Sequence, residues 1–313
     1  MRPTLGFRPR SSSFIGTLAL LGICFWGDGR RSMAAAPESP ATKSVGDLSQ
    51  LSDEFDDAKS LRGWLREFEV EKTGADQLER IDFGRTRPGW ATLVPHASSW
   101  YRDYRGVLVH RLVRGDFVAT THLRTTNRSS NGPPRRPFSL AGIMVRSPRN
   151  VTPRTWRPGG ENYLFLSHGT ADQPGQYQFE VKTTVNSDSR LAIVPADQPE
   201  AVIRVVRVGS LFLLFRKSAE EAPWILHQRY SRPDFPEELQ VGMTVYTDWP
   251  TVERTAPPEH NTRVLRGGQP DLIASFDYFR FTRPELPEEL RRQAATNPDA
   301  ISDLVWLRLF AAP

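Results

Sequence analysis

The sequence has a single cysteine, Cys24, and it lies inside an apolar run near the N-terminus. Beyond residue 36 there is therefore no thiol to form a disulfide or a thiolate metal site, and stability has to come from a packed core. Catalytic signatures are also absent: no phosphate-cradling glycine loop, no GxSxG elbow and no HExxH. The six histidines show no metal-ligand spacing, so each reads as a surface or hydrogen-bonded histidine. Basic charge is scarce once the N-terminus is set aside. Residues 1–36 carry five arginines against Asp28, a surplus of +4 out of the net +5, which leaves the rest near +1. A nucleic-acid partner needs a clustered basic stripe, so none is expected.

What is present at the N-terminus is Arg2, Arg8 and Arg10, an apolar run from Phe14 to Trp26, and small residues from Ser32 to Ala36. This is the pattern of an export signal, and the run is too short to span a bilayer. We expect residues 1–36 to be a signal peptide and the protein to be secreted or periplasmic, with membrane contact only if that segment stays uncleaved. Leu21-Gly22-Ile23-Cys24 departs from a lipidation signal because Ile23 is too bulky. Residues 37–50 are small and polar without periodicity, a linker.

From residue 51 the dominant signal is a period of two. Phe117, Ala119, Thr121 and Leu123 alternate with Val118, Thr120, His122 and Arg124 after the Gly115-Asp116 turn, which predicts a half-buried antiparallel strand. Further strands are predicted at 91–94, 107–113, 139–146, 162–167, 177–185, 201–208, 211–216, 224–229, 240–247 and 273–281. Gly209-Ser210 joins two of them as a tight hairpin. Eleven or twelve strands exceed what one flat sheet holds, so the expected fold is all-β, a two-sheet antiparallel β-sandwich. Residues 284–313 differ: Pro287-Glu288-Glu289 opens one short helix, and Asn297-Pro298-Asp299 caps a second with an apolar stripe of Ile301, Leu304, Val305 and Leu309. That helical tail is expected to pack on the outside of the sandwich, with docking of another protein as the alternative.

Two groups of residues invite a chemical reading. Trp64–Val70 alternates, and in a strand Glu67, Glu69 and Glu71 would share one face. Paired carboxylates along one strand would suit a glycoside hydrolase or lyase, against the plainer reading of a solvated edge. The second group is aromatic. Trp100-Tyr101-Arg102-Asp103-Tyr104 sets stacking faces beside hydrogen-bonding groups, and Trp249 lies in another loop. Trp64, Trp90 and Trp224 read instead as caps on the core.

The order of short motifs adds a resemblance. Asp53-Glu54-Phe55-Asp56, Trp64, Leu93-Val94-Pro95, Trp100 and Arg114-Gly115-Asp116-Phe117 are followed by Ala141-Gly142-Ile143-Met144-Val145-Arg146 and Ile203–Gly209. Trp224, Val241-Gly242-Met243 and Phe276-Asp277-Tyr278-Phe279-Arg280-Phe281 complete the series. Over residues 51–283 it resembles the concanavalin A-like lectin/glucanase superfamily, in particular the regulation-of-enolase-protein-like family and, more distantly, the C-terminal sandwich of bacterial β-xylosidases. The resemblance implies a jelly roll with a concave face and a link to carbohydrate handling, with no agreed catalytic residues. The turn Ser218–Trp224 lacks the family's Asp-Gly, and the loops 127–137 and 249–269 are extended.

The leading expectation is a non-enzymatic, monomeric, carbohydrate-binding module for a glycan or cell-surface polysaccharide. Its contact residues would be Trp100, Tyr101, Asp103, Arg146, Asn162, Glu180 and Trp249. The segment around Phe55-Asp56 is expected to pair with the last strand, with Phe279 and Phe281 facing the core and Asp277 on their side. Backbone amides or an arginine would then satisfy Asp277, with a structural calcium shared with Asp56 as the alternative; no other cofactor is expected.

Overall fold

A computed structural model of the chain describes residues 46–72 and 74–311; the expected signal peptide and Cys24 lie outside them. Fourteen strands form among the described residues. They are β1 (Leu65–Arg66), β2 (Leu78–Phe83), β3 (Ala91–Pro95), β4 (Val107–Arg114), β5 (Phe117–Thr126), β6 (Ser139–Arg146) and β7 (Tyr163–Thr170). The series continues with β8 (Gln178–Val185), β9 (Asp188–Pro195), β10 (Glu200–Val208), β11 (Leu211–Lys217), β12 (Ile225–Ser231), β13 (Glu238–Tyr246) and β14 (Ile273–Thr282). One sheet runs β1-β4-β13-β6-β7-β8-β9 and the other β12-β11-β10-β5-β14-β3-β2, each seven strands and antiparallel throughout. This is the two-sheet sandwich that the resemblance implies.

The period of two puts one set of side chains between the sheets. Ala141, Ile143 and Val145 of β6 and Val241, Met243 and Val245 of β13 meet Ala201, Ile203 and Val205 of β10 and Phe279 and Phe281 of β14. Burial of each large aliphatic or aromatic side chain is worth about 1.5–3 kcal/mol, so this layer supplies the main driving force. Gly242 is required where the strands crowd: a Cβ there would sit 2.0 Å from the carbonyl oxygen of Val109. The sandwich closes as expected, since Asp53 and Phe279 exchange backbone hydrogen bonds of 2.9 and 2.8 Å.

Four expectations are corrected. β5 is buried on both faces, not one, because the helical tail covers its outer side at Val118. Asp277 does not share the side of Phe279: the register shifts between Phe276 and Tyr278, both Phe276 and Phe279 enter the core, and Asp277 turns outward to His122 Nδ1 at 3.1 Å. The Glu67 segment is not a strand beyond Arg66 but a helix, α1 (Glu67–Glu71). Last, His110 is neither exposed nor satisfied: it is fully buried on β4, and neither ring nitrogen has a partner among the described residues. Burial, and then the nearby Arg146, push its pKa down to about 3, so it stays neutral.

Two short helices, α2 (Trp249–Val252) and α3 (Pro257–His260), lie in the long loop before β14, and α4 (Glu288–Thr296) and α5 (Asp303–Phe310) form the tail. The buried members of α5 are Trp306 and Phe310, four residues apart and stacked at 6.1 Å, whereas Leu304 of the expected stripe is 67% exposed. With Ile301 they cover Val118, Val206, Leu213 and Phe215, so the tail packs on the outside of the second sheet.

Candidate functional site

The loop that follows β3 crosses the outer face of the first sheet. Trp100 is its anchor: fully buried, it donates its indole N–H to Val107 O at 3.0 Å and meets the Tyr163 ring at 5.4 Å. Gly106 lets the ring lie flat against the chain, since a Cβ there would come within 2.9 Å of Trp100 Cδ1. The remainder of the layer is Leu140, Met144, Phe165 and Tyr246, all fully buried or nearly so. This face is filled, not an open groove.

Two buried ionic groups hold the layer down. In the first, Lys182 Nζ sits 2.9 Å from Glu180 Oε1 and donates to Trp100 O at 2.8 Å, while Tyr246 Oη donates to Glu180 Oε2 at 3.3 Å. Burial and the neighbouring Glu180 hold the Tyr246 phenol well above its usual range. In the second, α1 brings Glu67 and Glu71, one helical turn apart, onto Arg105, and Glu71 also accepts from Arg146 Nη1 at 2.6 Å. Arg146 reaches Gln240 Oε1 at 2.7 Å and Glu161 Oε2 at 3.0 Å, and Arg149 closes the group on Glu161. Burial opposes the charge of Glu161, but the guanidiniums of Arg146, Arg105 and Arg149 overcome it and hold the carboxyl at about 2. Arg105, buried beside a second arginine, falls to about 9 and remains protonated at neutral pH.

Glu67 and Glu71 are therefore neither a solvated edge nor free acid and base; both are neutralised by arginines, and Glu69 lies exposed on another side of α1. Paired glycosidase carboxylates need access to the scissile bond, which this burial denies.

Above the layer lies an open cleft. It has a volume of about 200 Å3 and is lined by Ser99, Tyr101, Phe138, Lys182, Leu191 and Trp249. Trp249 opens α2, and its place is fixed by Asp248. That buried carboxylate accepts from Arg136 Nε and Nη2 at 2.9 and 2.6 Å and from the Gln269 amide at 2.6 Å. Tyr101 and Tyr104 flank the indole edge-to-face, each 5.4 Å away, and Tyr104 Oη donates to Thr255 O at 2.9 Å. Lys182 forms the floor. Its ammonium donates to Trp100 O, is paired in charge with Glu180 and lies 5.5 Å from the Tyr101 ring centre. No carboxylate is among the residues that line the cleft.

The structure thus sorts the seven expected contact residues by position. Tyr101 and Trp249 come together, half-buried, as walls of the cleft. Asp103 and Asn162 hold loops on the same face. Asp103 Oδ1 accepts from Gly159 N at 2.8 Å and Ser187 Oγ at 2.6 Å, and Asn162 Oδ1 from Asn186 N at 2.8 Å, bracing the β8–β9 turn. Trp100, Arg146 and Glu180 are fully buried beneath the face rather than on it, so they present no surface to a ligand. Sequence reasoning missed Ser99, Phe138, Lys182 and Leu191. Lys182 was signalled by Glu180 two residues earlier on the same strand face; Leu191 belongs to β9, which shows only a weak alternation. Among the described residues no group of three or more His, Cys, Asp or Glu is placed to hold a metal.

No family model matches the chain, and no curated protein matches it. Among solved structures it is similar to a protein of Saccharomyces cerevisiae described as functionally unknown, at 15% identity over 72% of this chain and 99% of that one, with a TM-score of 0.49. It is also similar to the GH43 BlXynB protein from Bacillus licheniformis, at 13% identity over 74% of this chain, with a TM-score of 0.48. Of that second protein the chain spans 39%. A lectin from Bauhinia forficata in complex with GalNAc gives 12% identity over 77% of this chain and 100% of that one, with a TM-score of 0.43.

Proposed function

We propose that this protein is an exported, non-enzymatic carbohydrate-binding module whose sugar site is the cleft between Tyr101 and Trp249. The observation that carries the proposal is the pair of half-exposed rings, fixed edge-to-face over Lys182 in a cleft that no carboxylate lines. Aromatic walls suit the C–H faces of a pyranose, and the Ser99 hydroxyl in the cleft wall suits one of its hydroxyls. Rings held by neighbouring rings and by the Asp248–Arg136 pair lose little freedom on binding, which favours affinity from a small contact area.

The cleft's volume of about 200 Å3 fits recognition of one sugar unit of a longer chain, with the rest of a polysaccharide running out over Leu191 and Phe138. A glycan array probed with the mature protein is the test. The expected result is a restricted set of bound saccharides, with binding lost on Trp249→Ala while far-ultraviolet circular dichroism is unchanged. An array with no bound saccharide, or hits that persist in folded Trp249→Ala, would overturn the reading.

A further inference from the structure

A larger cavity, about 630 Å3, opens on the opposite side of the molecule, between the outer face of the second sheet and the end of the tail. Its size falls within the roughly 300–1,000 Å3 range of small-molecule sites. Arg204, Lys217, Arg280 and Arg283 line it against only two carboxylates, Glu220 and Glu285. The four cations are not equally matched. Arg280 forms a two-bond pair with Glu54, and Lys217 pairs with Glu220 at 3.1 Å. Arg204 and Arg283 have no carboxylate partner among the described residues. Arg204 donates to Thr120 Oγ1 at 2.9 Å and to Phe310 O, and Arg283 donates to the carbonyls of Gly46, Arg114 and Asp116.

Arg204 is the informative group. It lines the cavity with its guanidinium carbon 4.4 Å from the Trp224 ring centre, and its Nη2 has no acceptor among the described residues. Burial depresses its pKa, with Tyr278 and Glu220 opposing, so the positive charge is held at a cost that an anion would relieve. Glu220 offsets that cost only in part, because it is shared with Lys217 and with Tyr278 Oη at 2.8 Å.

We propose that this cavity is a second ligand site, separate from the Tyr101–Trp249 cleft, for a carboxylate-bearing sugar of the hexuronate class. The carboxylate pairs with Arg204 Nη2, and the ring lies against Trp224 beside Tyr278. A charge-assisted bond of this kind is about twice as strong as a neutral one, and an aromatic neighbour distinguishes a sugar acid from a bare anion.

The test is calorimetric titration of the full mature chain with sodium glucuronate, methyl glucoside and sodium sulfate as separate arms. Glucuronate is expected to bind with an affinity that falls as salt rises, and methyl glucoside and sulfate at least about tenfold more weakly. Arg204→Gln should weaken glucuronate about tenfold or more, and Tyr101→Ala should leave it unchanged, which separates this site from the first. Because Arg204 also anchors Phe310, Trp224→Leu serves as a second variant with the same expected direction. Absence of glucuronate binding, equal binding of sulfate, or unchanged affinity in both folded variants would overturn the proposal.

Discussion

Replacing Glu161 by glutamine isolates what the buried ionic group contributes. The change keeps the shape and removes one charge, leaving Arg149 without its carboxylate and Arg146 with only Glu71 and Gln240. Removing one partner of a buried, hydrogen-bonded charge pair costs about 3–5 kcal/mol, because the remaining charges stay desolvated. Against a typical total of about 5–15 kcal/mol this is a large fraction, equivalent to roughly 10 °C in melting temperature for a domain of this size. The effect has a defined pH dependence. The folded pKa of Glu161, about 2, lies below its ordinary 4.5, so its stabilisation is complete above about pH 4.5 and is lost as pH falls towards 2. Urea denaturation of both proteins at about pH 7 and about pH 2.5 checks this, with the gap between them large at the first and small at the second. A gap under about 1 kcal/mol at neutral pH, or one that does not narrow in acid, would refute the claim that this network fastens the face under the cleft.

Trp306→Ala should cost about 3–5 kcal/mol and open the tail to proteases, read as a lower urea midpoint together with cleavage C-terminal to residue 284; an unchanged midpoint would mean the tail does not seal the second sheet. Gly242→Ala should prevent folding or lower the melting temperature by more than about 5 °C, measured by circular dichroism, because its Cβ would meet Val109 O at 2.0 Å; wild-type melting would show that the strands relax freely there. Deletion of residues 284–313 should leave an aggregating protein, seen by light scattering, since Val118, Val206, Leu213 and Phe215 lose their cover; a soluble, folded remainder would instead favour a docking role for the tail.

The strands of the sandwich were legible because period-two alternation is a local property: Val107–Arg114, Phe117–Thr126 and Glu200–Val208 each display it over several residues. The helix α1 was not, since Glu67-Phe68-Glu69-Val70-Glu71 satisfies both a strand pattern and the four-residue spacing of a helix face. Arg105 and Arg146, distant in sequence, receive Glu67 and Glu71 on that face, and nothing local announces them. Asp277 failed for a similar reason: the alternation around it is unbroken in sequence, and the bulge that turns it outward arises from pairing with β5. In the cleft, Tyr101 and Trp249 were visible as loop aromatics. Trp100 belongs to the same short motif but lies inward, packed on Tyr163 and bonded to Val107 O, which only the packed loop reveals.

The central claim is that sugar contacts Tyr101 and Trp249. Heteronuclear NMR titration of the mature protein with the strongest saccharide from the array is the sharpest test, following the indole N–H signals of its seven tryptophans from Trp64 to Trp306. The Trp249 signal is expected to shift and saturate, with smaller movements at the Tyr101 and Leu191 amides, while the buried Trp100 signal hardly moves. Saturable shifts confined to other tryptophans, with Trp249 unmoved, would contradict it.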